Sequence, residues 1–199
     1  MRPPLLCLAF VALGCAHSAG SSPGAAGARA SQYYPLAVGH KWTYERAVLG
    51  ETGTFDISID KRDGAAFVDS TGARLSIDAF GVRDDRRYLL KEPIEEGKGW
   101  NNTISASTFE RYVITSTKAT VTVPAGTFND CVVVESKNRI KDNAVLVNQM
   151  TFAKGVGMVM IRTHLETDGR KLPQAVLRLQ KHVPAPATPQ SGMEGPVGP

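Results

Sequence analysis

The stretch Thr54-Phe55-Asp56-Ile57-Ser58-Ile59-Asp60 decides the fold class. Phe55, Ile57 and Ile59 recur at every second position, with polar residues between them. A period of two places three apolar side chains on one face of a strand and four polar ones on the other. The same alternation runs through Ala73, Leu75 and Ile77, through Val121 and Val123, and through Ala175, Leu177 and Leu179. Such strands belong to an antiparallel sheet with one wet face. The runs Cys131–Val134 and Val156–Ile161 are apolar at consecutive positions, as expected of central strands covered on both sides. Turn signals separate these segments at Asp63-Gly64, Thr71-Gly72, Pro124-Ala125-Gly126, Lys154-Gly155 and Asp168-Gly169. No long stretch carries apolar residues at helical spacing. The expectation is therefore a mostly β, single domain of about ten short strands in a barrel, a sandwich or a strongly curved sheet.

Composition marks out the flanks. Residues 16–30 are almost all Ala, Ser, Gly and Pro, and residues 183–199 are rich in Pro and Gly, so both bury too little apolar area to offset ordering. The expected organisation is a leader at 1–14, a flexible linker at 15–31, a β-rich domain at 32–182 and a disordered tail at 183–199. As a flexible coil, fifteen residues of linker reach roughly 20 Å. The 199 residues carry 23 Lys and Arg against 19 Asp and Glu, a formal charge of +4, and the cations are dispersed. Neither a nucleic-acid partner nor a multi-span membrane protein is expected.

The leader has one cation, Arg2, followed by the uncharged stretch Leu5–Gly14, and Ala12-Leu13-Gly14 precede Cys15. This resembles a bacterial lipobox, with Ala12 where Leu is usual. The resemblance implies cleavage before Cys15, a diacylglycerol on its thiol and an acylated amino terminus, including palmitate, which together anchor more firmly than one chain. Ala16 follows the cysteine where an inner-membrane retention signal would carry Asp, so the resemblance implies the outer membrane. The alternative is an ordinary signal peptide cut further on. Of three cysteines, Cys7 belongs to the leader and Cys15 to the anchor, leaving Cys131 without an intrachain partner. In the apolar run DCVVVE it is expected in the core.

The search for chemistry is negative. There is no HExxH, CxxC, GxSxG, SxxK or phosphate loop, and His40, His164 and His182 show no metal-ligand spacing. No metal, no cofactor and no enzymatic activity are expected. The acidic residues Asp84, Asp85, Glu92, Glu95 and Glu96 read as a solvated charged loop, and Asn101-Asn102-Thr103 as a polar loop. In YYPLAVGHKWTYE, residues 33–45, Pro35 suggests that Tyr33–Leu36 lies along an edge, and Gly39 a turn into a strand on which Trp42 and Tyr44 share a face. With Phe55 and Ile57 these rings are the candidate ligand-facing residues; the competing assignment is plain core packing.

YYPLAVGHKWTY, then VPAGTF followed by a cysteine and valines, then KGVGMV, spanning residues 33–162, resemble in this order a family of uncharacterised bacterial secreted proteins and lipoproteins. The family implies a strongly curved antiparallel half-barrel similar to lipoprotein carriers and receptors, and no activity. Two functions follow as expectations. One is an envelope lipoprotein binding a lipid or other hydrophobic ligand. The other is a structural or assembly lipoprotein of the outer membrane that contacts other envelope proteins and holds no small molecule.

Overall fold

The computed structural model describes residues 28–105 and 108–186. The leader, Cys15, most of the linker and the tail beyond 186 lie outside the described residues. A four-residue helix, α1 (Ala30–Tyr33), precedes twelve strands: β1 Lys41–Val48, β2 Glu51–Asp63, β3 Ala66–Asp69, β4 Arg74–Asp78, β5 Gly81–Arg83, β6 Tyr88–Lys91, β7 Gly99–Ser105, β8 Thr108–Val123, β9 Gly126–Lys141, β10 Ala144–Ala153, β11 Gly157–Thr167 and β12 Arg170–Val183. They form one sheet in the order β6-β5-β4-β3-β2-β1-β12-β11-β10-β9-β8-β7, and every neighbouring pair is antiparallel. The sheet is thus two meanders, β1–β6 and β7–β12, joined by the ladder between the first and last strands. It curls into a nearly closed barrel whose two edges, β6 and β7, are consecutive in the chain.

The period-two reading survives into the burial pattern. In β2, Thr54, Asp56 and Asp60 are exposed, Phe55 and Ile57 are half-buried and Ile59 is fully covered. Cross-strand pairs carry the core outward from there: Tyr44 faces Phe55 and Leu179, and Trp42 faces Ile57. At Asp168-Gly169 both residues have positive φ, 48° and 73°, the backbone that a two-residue hairpin requires and that Asp and Gly tolerate. Strands β8 and β9 each run sixteen residues, bent by several register shifts, so the sheet has more and longer strands than the alternation alone resolves.

Two expectations are corrected. Tyr33–Leu36 does not lie along a sheet edge: Tyr33 ends α1, and residues 34–36 belong to no strand. In α1, Ala30 at 0% and Tyr33 at 7% exposure pack among Val82, Leu90 and Trp100. The Ala30 amide donates to Glu92 Oε1 at 3.0 Å, and the Gln32 carbonyl accepts from the Gly155 amide at 2.7 Å. The described fold therefore begins before Gln32. Asn101-Asn102-Thr103 is not a loop but the middle of β7, with Asn102 buried.

Candidate ligand cavity and the seam of the sheet

The core falls into two clusters bridged by Tyr34 and Leu89. The four aromatic and aliphatic residues proposed as ligand-facing all join the second. Trp42 is 2% exposed, and its indole N–H donates to the Val156 carbonyl at 2.7 Å; the Tyr44 hydroxyl donates to the Met158 carbonyl at 2.8 Å. Phe55 lies 5.7 Å from the Tyr44 ring centroid, and Ile57 packs beside it. Burial raises the Tyr44 pKa well above its ordinary value and pushes Tyr34 up to about 12, so both remain hydrogen-bond donors. Trp42 and Tyr44 thus have their polar ends satisfied within the fold. The segment at 33–44 and the segment at 154–159 meet here, because Trp42 docks on the β10–β11 hairpin.

A cavity of about 280 Å³ opens on the other cluster, lined by Arg87, Leu89, Ser136, Asn148, Met150, Phe152, Met158 and Ile161. The register explains its wall: Asn148 faces Ser136, Met150 faces Val134 and Ile161, and Phe152 faces Val132 and Met158, so alternate residues of β9 and β10 share one face with Ile161 and Met158, which flank a register shift in β11. Leu89 of β6 and Arg87 just before it lie across from that wall. A larger hollow of about 360 Å³ at the tips of the β9–β10 and β11–β12 hairpins is lined chiefly by Glu166, Asp168, Arg170 and Lys171. It is a more open dish of charged side chains, so the less open, more apolar cavity is the stronger candidate.

Arg87 is held in place. Its Nε donates to Asp84 Oδ2 at 3.1 Å and its Nη1 to Glu110 Oε1 and Oε2 at 3.3 and 3.2 Å. Asp84 also accepts from the amides of Arg86 and Arg87, both at 2.8 Å, so part of the expected charged loop is a built turn. Glu110 accepts from the Tyr112 hydroxyl at 2.7 Å. Burial foremost, with Glu110 as acceptor, pushes the Tyr112 pKa up to about 12. On the facing wall Thr163 donates to Asn148 Oδ1 at 2.8 Å, and Asn148 Nδ2 to Ser136 at 3.5 Å.

The seam beside the cavity is closed by side chains. Asn102 Oδ1 accepts from the Tyr88 amide at 3.1 Å, Asn102 Nδ2 donates to the Tyr88 carbonyl at 3.2 Å, and Trp100 Nε1 donates to the same carbonyl at 3.1 Å. No sequence signal distinguished Arg87, Asn102 or Asn148, because each stands among other polar residues and acquires its role from a strand distant in sequence. Asn148 alone leaves a trace: it shares a period-two row with Met150 and Phe152.

Where β1 begins and β12 ends, His40 Nδ1 and His182 Nε2 are 3.1 Å apart. Their ring centroids are 5.3 Å apart with planes 9° from parallel, and a nitrogen contact that short at that centroid spacing makes the rings edge to edge and nearly coplanar. The pair is one in-line hydrogen bond. Trp42 lies parallel to both rings, at 5.5 and 5.6 Å. The nitrogens face each other along one line and do not converge on a third point, and no group of three or more His, Cys, Asp or Glu among the described residues is placed to hold a metal ion. Cys131 is fully buried, and burial with the neighbouring Asp130 pushes its thiol up to about 11.

No helix among the described residues is long and apolar enough to cross a membrane. No family model matches the chain, and no curated protein matches it. Among solved structures, the chain is similar to a Parabacteroides distasonis protein described as a putative lipoprotein: 10% of residues are identical, the likeness covers 76% of this chain and 98% of that one, and the TM-score is 0.39.

Proposed function

We propose that this chain is a non-catalytic lipoprotein of the bacterial envelope, tethered through Cys15 to the outer membrane, whose barrel holds a lipid or other apolar ligand. The observation that carries the binding half is the cavity against β9–β11: five apolar side chains, Leu89, Met150, Phe152, Met158 and Ile161, with Arg87, Ser136 and Asn148 as the few polar groups. The anchor rests on Ala12-Leu13-Gly14-Cys15 and on the Ala-, Ser- and Gly-rich stretch that follows. The resemblance carried by the YYPLAVGHKWTY, VPAGTF and KGVGMV segments supports the same setting.

A second reading, an assembly protein without a ligand, is favoured by the apolar side chains left exposed near the hairpin ends, Leu49, Phe109, Ile140 and Leu172. The anchor is tested by labelling with radioactive palmitate and fractionating membranes. The wild-type chain is expected in the membrane fraction with label, and Cys15→Ala unlabelled and either uncut or released. Normal processing and fractionation of Cys15→Ala would overturn the anchor.

A further inference from the structure

We propose that the cavity beside Arg87 selects an uncharged, single-chain amphiphile: an alkyl tail of about eight to ten carbons ending in a hydroxyl, an ester or another neutral oxygen. This rests on the ligand-binding reading and specifies its ligand. The cavity of about 280 Å³ equals roughly nine water-sized volumes of about 30 Å³ each, which suits one short chain and not a two-chain phospholipid.

The polar end is set by a charge count. Arg87 is the one charged side chain on the cavity wall, and it is already paired with two carboxylates, Asp84 and Glu110. The other cations of this edge are not on the cavity wall: Arg83 and Lys91 sit over the Tyr88 ring, 5.5 and 5.1 Å from its centroid, and Arg86 is exposed. The guanidinium on the wall is therefore already compensated. A fatty-acid carboxylate or a phosphate entering there meets a cation whose charge is taken up by two carboxylates and loses its own hydration without an unpaired partner. A cation finds no carboxylate on the wall and meets the guanidinium itself. Arg87 nevertheless has donors to give: its Nε and Nη1 are engaged, whereas the two N–H groups of Nη2 have no partner among the described residues. Two N–H donors on a compensated guanidinium suit a neutral oxygen acceptor, and Ser136 and Asn148 on the facing wall add neutral hydrogen-bonding atoms.

The test uses the mature chain carrying Cys15→Ala and exported behind an ordinary cleavable signal, so that no detergent competes. Calorimetric titration at pH 7.5 compares decan-1-ol, monodecanoylglycerol and decanoate. The neutral pair is expected to bind at one per chain and at least tenfold more tightly than decanoate. Glu110→Gln removes one negative charge and keeps an acceptor for Tyr112 and Arg87; it should narrow the ratio between decan-1-ol and decanoate at least threefold. Met150→Trp, which fills the cavity, should abolish binding. Decanoate binding as tightly as decan-1-ol, an unchanged ratio in Glu110→Gln, or full binding by Met150→Trp would each overturn the assignment while leaving ligand binding in place. Failure of all three compounds to bind the folded wild-type chain would overturn the ligand-binding reading as well.

Discussion

The side-chain amide of Asn102 pairs with both backbone groups of Tyr88, accepting from its N–H at 3.1 Å and donating to its C=O at 3.2 Å. It does for strands β6 and β7 what a backbone ladder does for every other neighbouring pair. An asparagine can do this because its amide carries a donor and an acceptor in the same relation as a peptide group. The two sheet edges are thereby stitched at the strand that carries the cavity.

Asn102→Ala leaves a buried donor and acceptor of Tyr88 without this partner. The expected loss of stability is about 1–3 kcal/mol, read from the denaturant midpoint at unchanged slope. Asn101→Ala, on the exposed face of the same strand, should change stability by no more than about 0.5 kcal/mol. Equal losses for the two variants would remove the seam from the account.

Burial lowers the pKa of both His40 and His182 below the ordinary 6.5, and His40 adds to the lowering at His182. The folded state therefore binds protons less readily than the unfolded chain. Stability contributed by the neutral pair should be fully present above about pH 6.5 and decline as pH falls from there through the folded-state values. Urea titrations at successive pH values on wild type and a His40→Gln, His182→Gln double variant check this. The wild type should lose more stability between pH 7.5 and 5 than the double variant, and parallel losses would contradict it.

Gly81 has a φ of 145°, and a Cβ built there overlaps the Leu90 carbonyl oxygen across the β5–β6 pair. Gly81→Ala is expected to cost at least about 2 kcal/mol, since the backbone itself must move. Gly64, at φ 60°, has open space around the added carbon. Gly64→Ala should cost only about 1 kcal/mol, the ordinary left-handed penalty. Melting temperatures of the two variants separate the steric contribution from the conformational one.

Cys131 should be inert in the folded chain. With its thiol at about 11, about one molecule in a thousand carries the thiolate at pH 8. An aromatic disulfide reagent is expected to label Cys131→Ala and folded wild type equally little at this site, and the wild type stoichiometrically in urea. Rapid labelling of the native protein would contradict the buried position.

The sheet was readable because alternation is a local property: Phe55, Ile57 and Ile59 declare their shared face within seven residues, and Asp168-Gly169 declares its hairpin within two. Closure was not readable, since Asn102 and Tyr88 are brought together by the curl of the whole sheet. The helix at Ala30–Tyr33 was hidden because Ala30 continues an Ala- and Gly-rich composition, and only the Glu92 carboxylate and the apolar surface around Val82 and Trp100 give it a place. The shared face of Trp42 and Tyr44 follows from the strand period, but their hydrogen bonds to the Val156 and Met158 carbonyls depend on a hairpin more than a hundred residues away. The cavity's polar end was equally non-local, with Arg87 from one meander and Ser136 and Asn148 from the other.

The central claim is that the barrel holds an apolar ligand, and native mass spectrometry tests it most directly. The mature Cys15→Ala chain, purified from a bacterial periplasm without detergent, is to be weighed intact and its bound small molecules identified after denaturation. The expected result is one molecule per chain with a single alkyl tail, absent from Met150→Trp purified alongside. A folded wild-type chain that is uniformly empty, at the mass of the polypeptide alone, would contradict the claim and leave the assembly protein as the better account.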